Sequence, residues 1–186
     1  MTQPATLDAR RYRDTIGLFA TGVAVIVARA GDEVVAMTVN AVTSVSLDPM
    51  LLLFCPGKKT RFAQYMTALS GFTVNILRQE QQALSTYFAG AWKEDLAPPF
   101  RLVPSRSAPR LEGCLATIDC TTDQVIDAGD HWIVIGRVWD VHHGVAPRHP
   151  LTFFGGRYRA LDVAESKPAP DLTNLQAEPA HIFYDH

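Results

Sequence analysis

The chain has 186 residues, 47% apolar and 19% charged, with a formal net charge of −2, which is enough to bury one sizeable core. Lysines and arginines are scattered, which excludes a basic nucleic-acid-binding face, and the longest apolar runs are strand-sized, which excludes a transmembrane helix. The N-terminus MTQPATLDARRYRD is too polar for a signal peptide, so a cytoplasmic protein with neither nucleic-acid nor membrane partner is expected.

In chain order, the first expected element is a helix from about Leu7 to Ala20, with Thr6 able to cap it, Asp8 in its first turn and Gly22 after its end. Tyr12, Ile16, Phe19 and Ala20 recur at helical spacing, so the helix is expected to lay one apolar stripe on a core. Val23 to Ala28 and Val34 to Val39, β-branched runs around Gly31-Asp32, read as a hairpin. Met50 to Cys55 is a third strand, entered through a turn at Asp48-Pro49 because the residue before proline is held extended. Phe62, Met66 and Leu69 mark a short second helix after Thr60, followed by the strand Phe72 to Leu77. A third helix from about Gln79 to Ala89 carries Leu84 and Phe88 on one side. Gly90 to Arg110, rich in Pro, Arg and Ser and without a period, reads as a loop or flap.

Cys114 to Ile126 and Trp132 to Val141 form a long hairpin around Asp127-Ala128-Gly129-Asp130-His131, and Phe153 to Tyr158 ends the domain. That gives one domain over residues 1–162 and a tail or exchanged arm over 163–186, where Pro, Ala, Glu and Ser accumulate. Six or seven strands with three short helices make the fold mainly β, a closed or split antiparallel barrel. A Rossmann sheet is excluded because no GxGxxG follows any strand. Cys55, Cys114 and Cys120 include no CxxC pair, so they read as thiols packed in strands. Adjacent strand residues such as His142-His143 point to opposite faces, and no metal is assigned.

Met37 to Pro49, MTVNAVTSVSLDP, followed by LLLFC and Gly57-Lys58-Lys59-Thr60, joins an apolar strand that opens into small polar residues, a returning strand and a basic helix start. This suits a flat, phosphorylated ligand, and its chemistry suggests a flavin nucleotide. Small residues over Thr38 to Ser46 let the backbone approach a ring edge that needs hydrogen bonds. Ser, Thr and Asn also form plain turns at strand ends. At Lys58-Lys59-Thr60 the free N–H groups and positive dipole of a helix start favour an anion, while the same residues also read as an N-cap beside a solvated basic pair. His131, at a hairpin tip, reads as a projected functional side chain or as a surface residue. Phe88-Ala89 and Tyr158 read as core and strand residues as readily as walls for a ring.

The chain resembles the flavin reductase-like proteins with an FMN-binding split barrel, the reductase components of two-component flavin monooxygenases. The resemblance is carried by Phe19-Ala20-Thr21-Gly22-Val23, by Met37-Thr38-Val39-Asn40-Ala41 with Thr43-Ser44-Val45-Ser46-Leu47-Asp48-Pro49, by Phe72-Thr73-Val74-Asn75-Ile76-Leu77, by Gly129-Asp130-His131 and by Gly156-Arg157-Tyr158-Arg159. It spans about Tyr12 to Leu161. It implies a homodimeric NAD(P)H-dependent flavin reductase that moves a hydride from NADH or NADPH to FMN or FAD and supplies a separate monooxygenase. It places flavin contacts at Thr38, Asn40, Ala41, Val42, Ser44 and Val45, with Cys55 counted among them, and phosphate contacts at Lys59 and Thr60. It sets His131 beside the flavin where the nicotinamide arrives, and Phe88, Ala89 and Tyr158 as walls. A flavin carrier or sensor without turnover, and a related split-barrel oxidase, are the alternatives. Hydride transfer between two cofactors needs no strong acid or base from the protein, in keeping with the lack of a catalytic triad or carboxylate pair.

Overall fold

The computed structural model describes residues 8–90, 97–145 and 149–161, so Thr6 and the arm expected from Val163 lie outside the described residues. The chain begins with α1 (Ala9–Ile16), β1 (Thr21–Gly22), β2 (Ala24–Ala30), β3 (Glu33–Val39), β4 (Val42–Leu47) and β5 (Met50–Phe54). A 3-10 helix (Arg61–Ala68), β6 (Leu69–Ile76), a second 3-10 turn (Gln79–Gln81) and α2 (Gln82–Phe88) follow. The remainder is β7 (Leu102–Val103), β8 (Arg110–Leu111), β9 (Ala116–Ala128), β10 (His131–His143), β11 (Leu151–Phe154) and β12 (Arg157–Ala160).

The principal sheet has seven strands in the order β3-β2-β6-β9-β10-β5-β4, antiparallel throughout. Its edge strands β3 and β4 are consecutive in the chain, joined only by Asn40 and Ala41. Seven flat strands would hold those edges roughly 29 Å apart, whereas the link from Val39 to Val42 reaches roughly 11 Å at most. The sheet must therefore roll until its edges meet, which gives the expected split antiparallel barrel. A small sheet of β1, β11 and β12 lies apart from it, as does the β7–β8 pair.

β2 explains how the core is built. Ala24, Ile26 and Ala28 enter a cluster with Phe54, Phe72, Val74 and Val134, while Val25 and Val27 enter a second cluster with Leu77, Leu84, Phe88 and Leu151. A strand buried on both faces reads as a continuous apolar run, the pattern of AVIV in the sequence. Phe54 packs edge-on against Phe72 with centroids 4.9 Å apart.

A buried polar ladder ties the surface segment 105–111 to this core. Asn75 Nδ2 donates to the Val25 carbonyl at 3.0 Å, and its Oδ1 accepts from Leu111 N at 2.8 Å and from Thr117 Oγ1 at 3.2 Å. Thr73 Oγ1 donates to the Pro109 carbonyl at 2.7 Å, and buried Asp119 accepts from Ser105 Oγ and Ser107 N.

The structure departs from the sequence pattern in four places. Asp8 caps α1, accepting from Arg10 N at 2.8 Å, and the helix is shorter than its apolar spacing suggests. No residue of α1 is buried, and Tyr12, Ile16 and Phe19 are 60%, 53% and 72% exposed, so the stripe covers no core among the described residues. Most of the small-residue stretch Thr38 to Ser46, which gives no strand pattern beyond Val39, is strand: β4 pairs with β5 through a hairpin whose Asp48-Pro49 peptide is cis. A bulge between Ser44 and Ser46 breaks the two-residue period there, which hides the strand from a pattern search. The helix after Thr60 is 3-10, with Leu69 already in β6, and the third helix opens on the separate turn Gln79–Gln81. Of the cysteines only Cys120 lies within a strand; Cys114 is buried ahead of β9 and Cys55 is half-buried just past β5.

Candidate functional site

A cleft of about 490 Å³ runs along edge strand β3, between the 3-10 helix and the C-terminal end of α2. Thr38, Thr60, Phe88 and Ala89 line it together. Phe62 and Phe88 give it apolar walls anchored in the two core clusters. Thr38 Oγ1 donates to the Ser85 carbonyl at 2.7 Å, which fastens α2 to β3 at the cleft.

Beyond Thr60 the cleft meets a second group of residues. Cys55 N donates to the Ala41 carbonyl at 3.2 Å, Trp132 N to the Pro56 carbonyl at 2.9 Å and Lys58 N to the Asp130 carbonyl at 2.9 Å. Gly57 bridges His131 across the strands. A Cβ on Gly57 would stand 3.5 Å from His131 Nε2 and 3.6 Å from Thr60 Cγ2, so imidazole and threonine flank this glycine. These backbone bonds bring together Ala41, Cys55, Thr60 and His131, which lie far apart in the chain.

His131 opens β10 immediately after the Gly129-Asp130 turn, and Gly129 sits at φ +66°, a conformation that favours glycine. Its Nδ1 lies 2.7 Å from Asp130 Oδ1. That hydrogen bond, with the charge of the imidazole, holds the Asp130 carboxyl below the usual carboxylate range. A carboxylate on Nδ1 favours the proton there, leaving Nε2 toward Gly57 and Thr60.

The two lysines have different environments. Lys58 Nζ pairs with Asp127 at 2.7 Å and lies 4.8 Å from the Trp132 ring centroid, whereas Lys59 is exposed, with no ion pair among the described residues. Thr60 commits both its N–H and its hydroxyl to the Gly57 carbonyl, at 3.0 and 2.7 Å. The N–H groups of Arg61 and Phe62, at the helix start, have no acceptor among the described residues. An anion at this end would therefore meet Lys59 and those two N–H groups before the Thr60 hydroxyl.

The remaining candidates are placed differently. Asn40, Ala41, Ser44 and Val45 are exposed at the barrel's closing edge, and Val42 packs against the barrel core. Tyr158 does not line the cleft: its hydroxyl lies 2.8 Å from Ser85 Oγ and its ring packs edge-on against Phe153. The sequence pattern missed Arg61, Tyr65 and Glu33, all of which line the cleft. Arg61 directly follows the basic Lys58-Lys59-Thr60 run, a signal that could have found it; Glu33 and Tyr65 meet only through the fold, with Tyr65 Oη donating to Glu33 Oε2 at 2.7 Å.

Comparison with known proteins agrees with this architecture. The flavin reductase like domain matches residues 16–162. The chain is 36% identical over 176 residues to the reductase subunit HsaB of a flavin-dependent monooxygenase from Mycobacterium tuberculosis, covering 93% of each chain. It is 33% identical over 157 residues to the FMN reductase (NADH) SmoA of Agrobacterium fabrum, covering 83% of this chain and 87% of that protein. Among solved structures, an NADH:FAD oxidoreductase from Streptomyces globisporus in complex with NAD and FAD fragments is similar at a TM-score of 0.75 and 33% identity, covering 92% of this chain and 99% of that one. A family match that spans residues 16–162, with relatives of this identity and coverage, establishes that this chain belongs to the flavin reductase-like family.

Proposed function

We propose that the protein is an NAD(P)H:flavin oxidoreductase that reduces FMN or FAD and releases the product to a separate flavin-dependent monooxygenase. Hydride passes from C4 of the nicotinamide to N5 of the flavin, a solvent proton completes the reduced ring, and the nicotinamide leaves oxidised. The observation that carries the reading is the junction at Thr60, where an apolar-walled cleft meets Gly57 and His131. Lys59 and the N–H groups of Arg61 and Phe62 would hold the flavin phosphate. Asn40, Ala41 and the exposed residues of β4 would offer main-chain polar atoms to the ring edge, and Phe88 an apolar wall. His131, half exposed at this end, would stand where the nicotinamide arrives.

The names of the relatives, one a monooxygenase reductase subunit and one an NADH-dependent FMN reductase, support this reading. A cytoplasmic setting belongs to it: the described cysteines are free thiols, and among the described residues no helix is long and apolar enough to cross a membrane. So does a homodimer, because α1 and the β4–β5 hairpin leave large apolar side chains uncovered. The test is loss of reduced nicotinamide when purified protein, NADH or NADPH, and free FMN or FAD are combined. Tight flavin binding without nicotinamide oxidation would instead favour a carrier or sensor.

A further inference from the structure

His131 is the first residue of β10, and the segment Pro56-Gly57-Lys58 lies against it. Backbone bonds join the two on either side of the imidazole: Lys58 N donates to the Asp130 carbonyl and Trp132 N to the Pro56 carbonyl, both at 2.9 Å. The side chain of Lys58 then reaches across the hairpin itself. Its Nζ lies 2.7 Å from Asp127 Oδ2 and 4.8 Å from the Trp132 ring centroid, and Asp127 and Trp132 stand directly opposite each other in the β9–β10 register. One ammonium thus bridges both strands immediately behind the residues that carry His131. Trp132 in turn packs against the barrel core, which anchors the bridge. Neighbouring residues of a strand point to opposite faces, so the ammonium grips this ribbon from the face away from the imidazole.

Resting on the functional reading above, we infer that Lys58 is a positioning residue for hydride transfer, whose clamp on Asp127 and Trp132 fixes the hairpin tip and sets His131 where the nicotinamide arrives. Packing alone does not fix that tip, because Val125 and Ile126 just before it are exposed. Among the described residues, no other side chain from outside the hairpin makes a hydrogen bond or ion pair with residues 127–131. An ion pair in open water would hold it weakly. Here the indole face adds a cation–π attraction, and the Lys58 side chain is largely buried although Asp127 is exposed. The clamp also divides the labour of the basic pair. Lys58 is committed to the hairpin, and exposed Lys59 is left for the flavin phosphate.

The test uses Lys58→Met, which keeps the stem and removes the charge, with Lys58→Arg and Asp127→Asn, the last at an exposed position outside both core clusters. For each, kcat and KM for NADH are measured at saturating FMN, and the FMN dissociation constant by fluorescence quenching. Lys58→Met is measured again in a His131→Ala background. In the parent background Lys58→Met is expected to lower kcat/KM for NADH about tenfold and to change FMN affinity less than about twofold, since misplacing a group by about 1 Å can cost about a hundredfold in rate. Lys58→Arg is expected to restore most of the loss, because a guanidinium also pairs with a carboxylate and stacks on a ring. Asp127→Asn is expected to lower the same parameter by less. With His131 replaced by alanine, removing the lysine charge is expected to change little, because the group through which it acts is gone. Equal losses in the two backgrounds, or no loss in the parent background, overturns the inference and leaves the reductase reading standing. Weaker FMN binding with turnover at saturating flavin unchanged would make Lys58 a phosphate ligand and also overturns it. Parent protein that oxidises no nicotinamide with either flavin overturns the reductase reading and this inference together.

Discussion

His131 is held from one side and open on the other. Asp130 fixes Nδ1 at 2.7 Å, while Nε2 faces Gly57 and Thr60 at the end of the cleft. In the proposed arrangement a side chain so placed would meet an incoming nicotinamide more than the flavin's phosphate or ring edge. His131→Ala is therefore expected to slow turnover at saturating flavin by about tenfold while changing the flavin dissociation constant much less. Equal turnover numbers for variant and parent would remove the imidazole from the site. The buried thiols make a second expectation at this scale. Burial pushes Cys114 up to about 11 and Cys120 up to about 12, and in the unfolded chain both titrate near 9. Each is a group whose folded pKa is raised, so its contribution to stability is whole below pH 9. It fades as the pH rises toward 11 and 12, because only the unfolded chain releases the proton in between. Between pH 8 and pH 10.5 the parent should lose more melting temperature than a Cys114→Ala/Cys120→Ala variant, whatever their difference at pH 8. Parallel curves for the two proteins would refute the assignment.

β6 shows how an element can be polar inside and still hold the fold. Asn75 joins β2, the end of β8 and β9 through one amide, so truncation strands donors and acceptors in the core. Asn75→Ala is expected to destabilise the protein by about 3 kcal/mol in urea titrations, several times the net value of one hydrogen bond, because the partners stay buried and unpaired. A loss under about 1 kcal/mol would mean that water replaces the amide. The same strand shows what a sequence can and cannot reveal. β2, β6 and the β9–β10 hairpin were legible because burial on one or both faces writes a period or an apolar run into the residues. β4 was not, because its bulge shifts the phase halfway along. At the site, the small residues near Thr38 and the basic helix start were legible. The difference between Lys58, paired with Asp127 over Trp132, and exposed Lys59 was not, since it depends on a hairpin some 70 residues further along the chain. Glu33 and Tyr65 were silent for the same reason.

Across the whole molecule, the apolar spacing expected to lay a stripe on a core stops short, because α1 ends at Ile16 before Phe19 and Ala20, and periodicity in any case does not say which chain covers a face. Among the described residues nothing covers it: Leu18 and Phe19 are 65% and 72% exposed after a helix with no buried residue. A second uncovered set lies on the barrel, where Val45, Leu47 and Met50 of the β4–β5 hairpin are 46%, 85% and 54% exposed and Trp139 and Val141 of β10 are 46% and 52% exposed. The pairing of Leu51 with Arg137 sets this hairpin and that part of β10 at the same end of the sheet. Apolar area gathered in this way is costly to leave in water, at about 25 cal/mol per Å², and a twin chain offers an identical patch related by a two-fold axis. If that face is the dimer interface, charge placed at its most exposed apolar position opposes its own copy across the axis. Leu47→Glu is thus expected to convert a dimer into a monomer in sedimentation at micromolar concentration, while the monomer keeps the far-ultraviolet circular dichroism of the parent, because Leu47 touches neither core cluster. Parent protein that sediments as a monomer, or a variant that stays dimeric, would move the interface elsewhere, and α1 would be the next face to test.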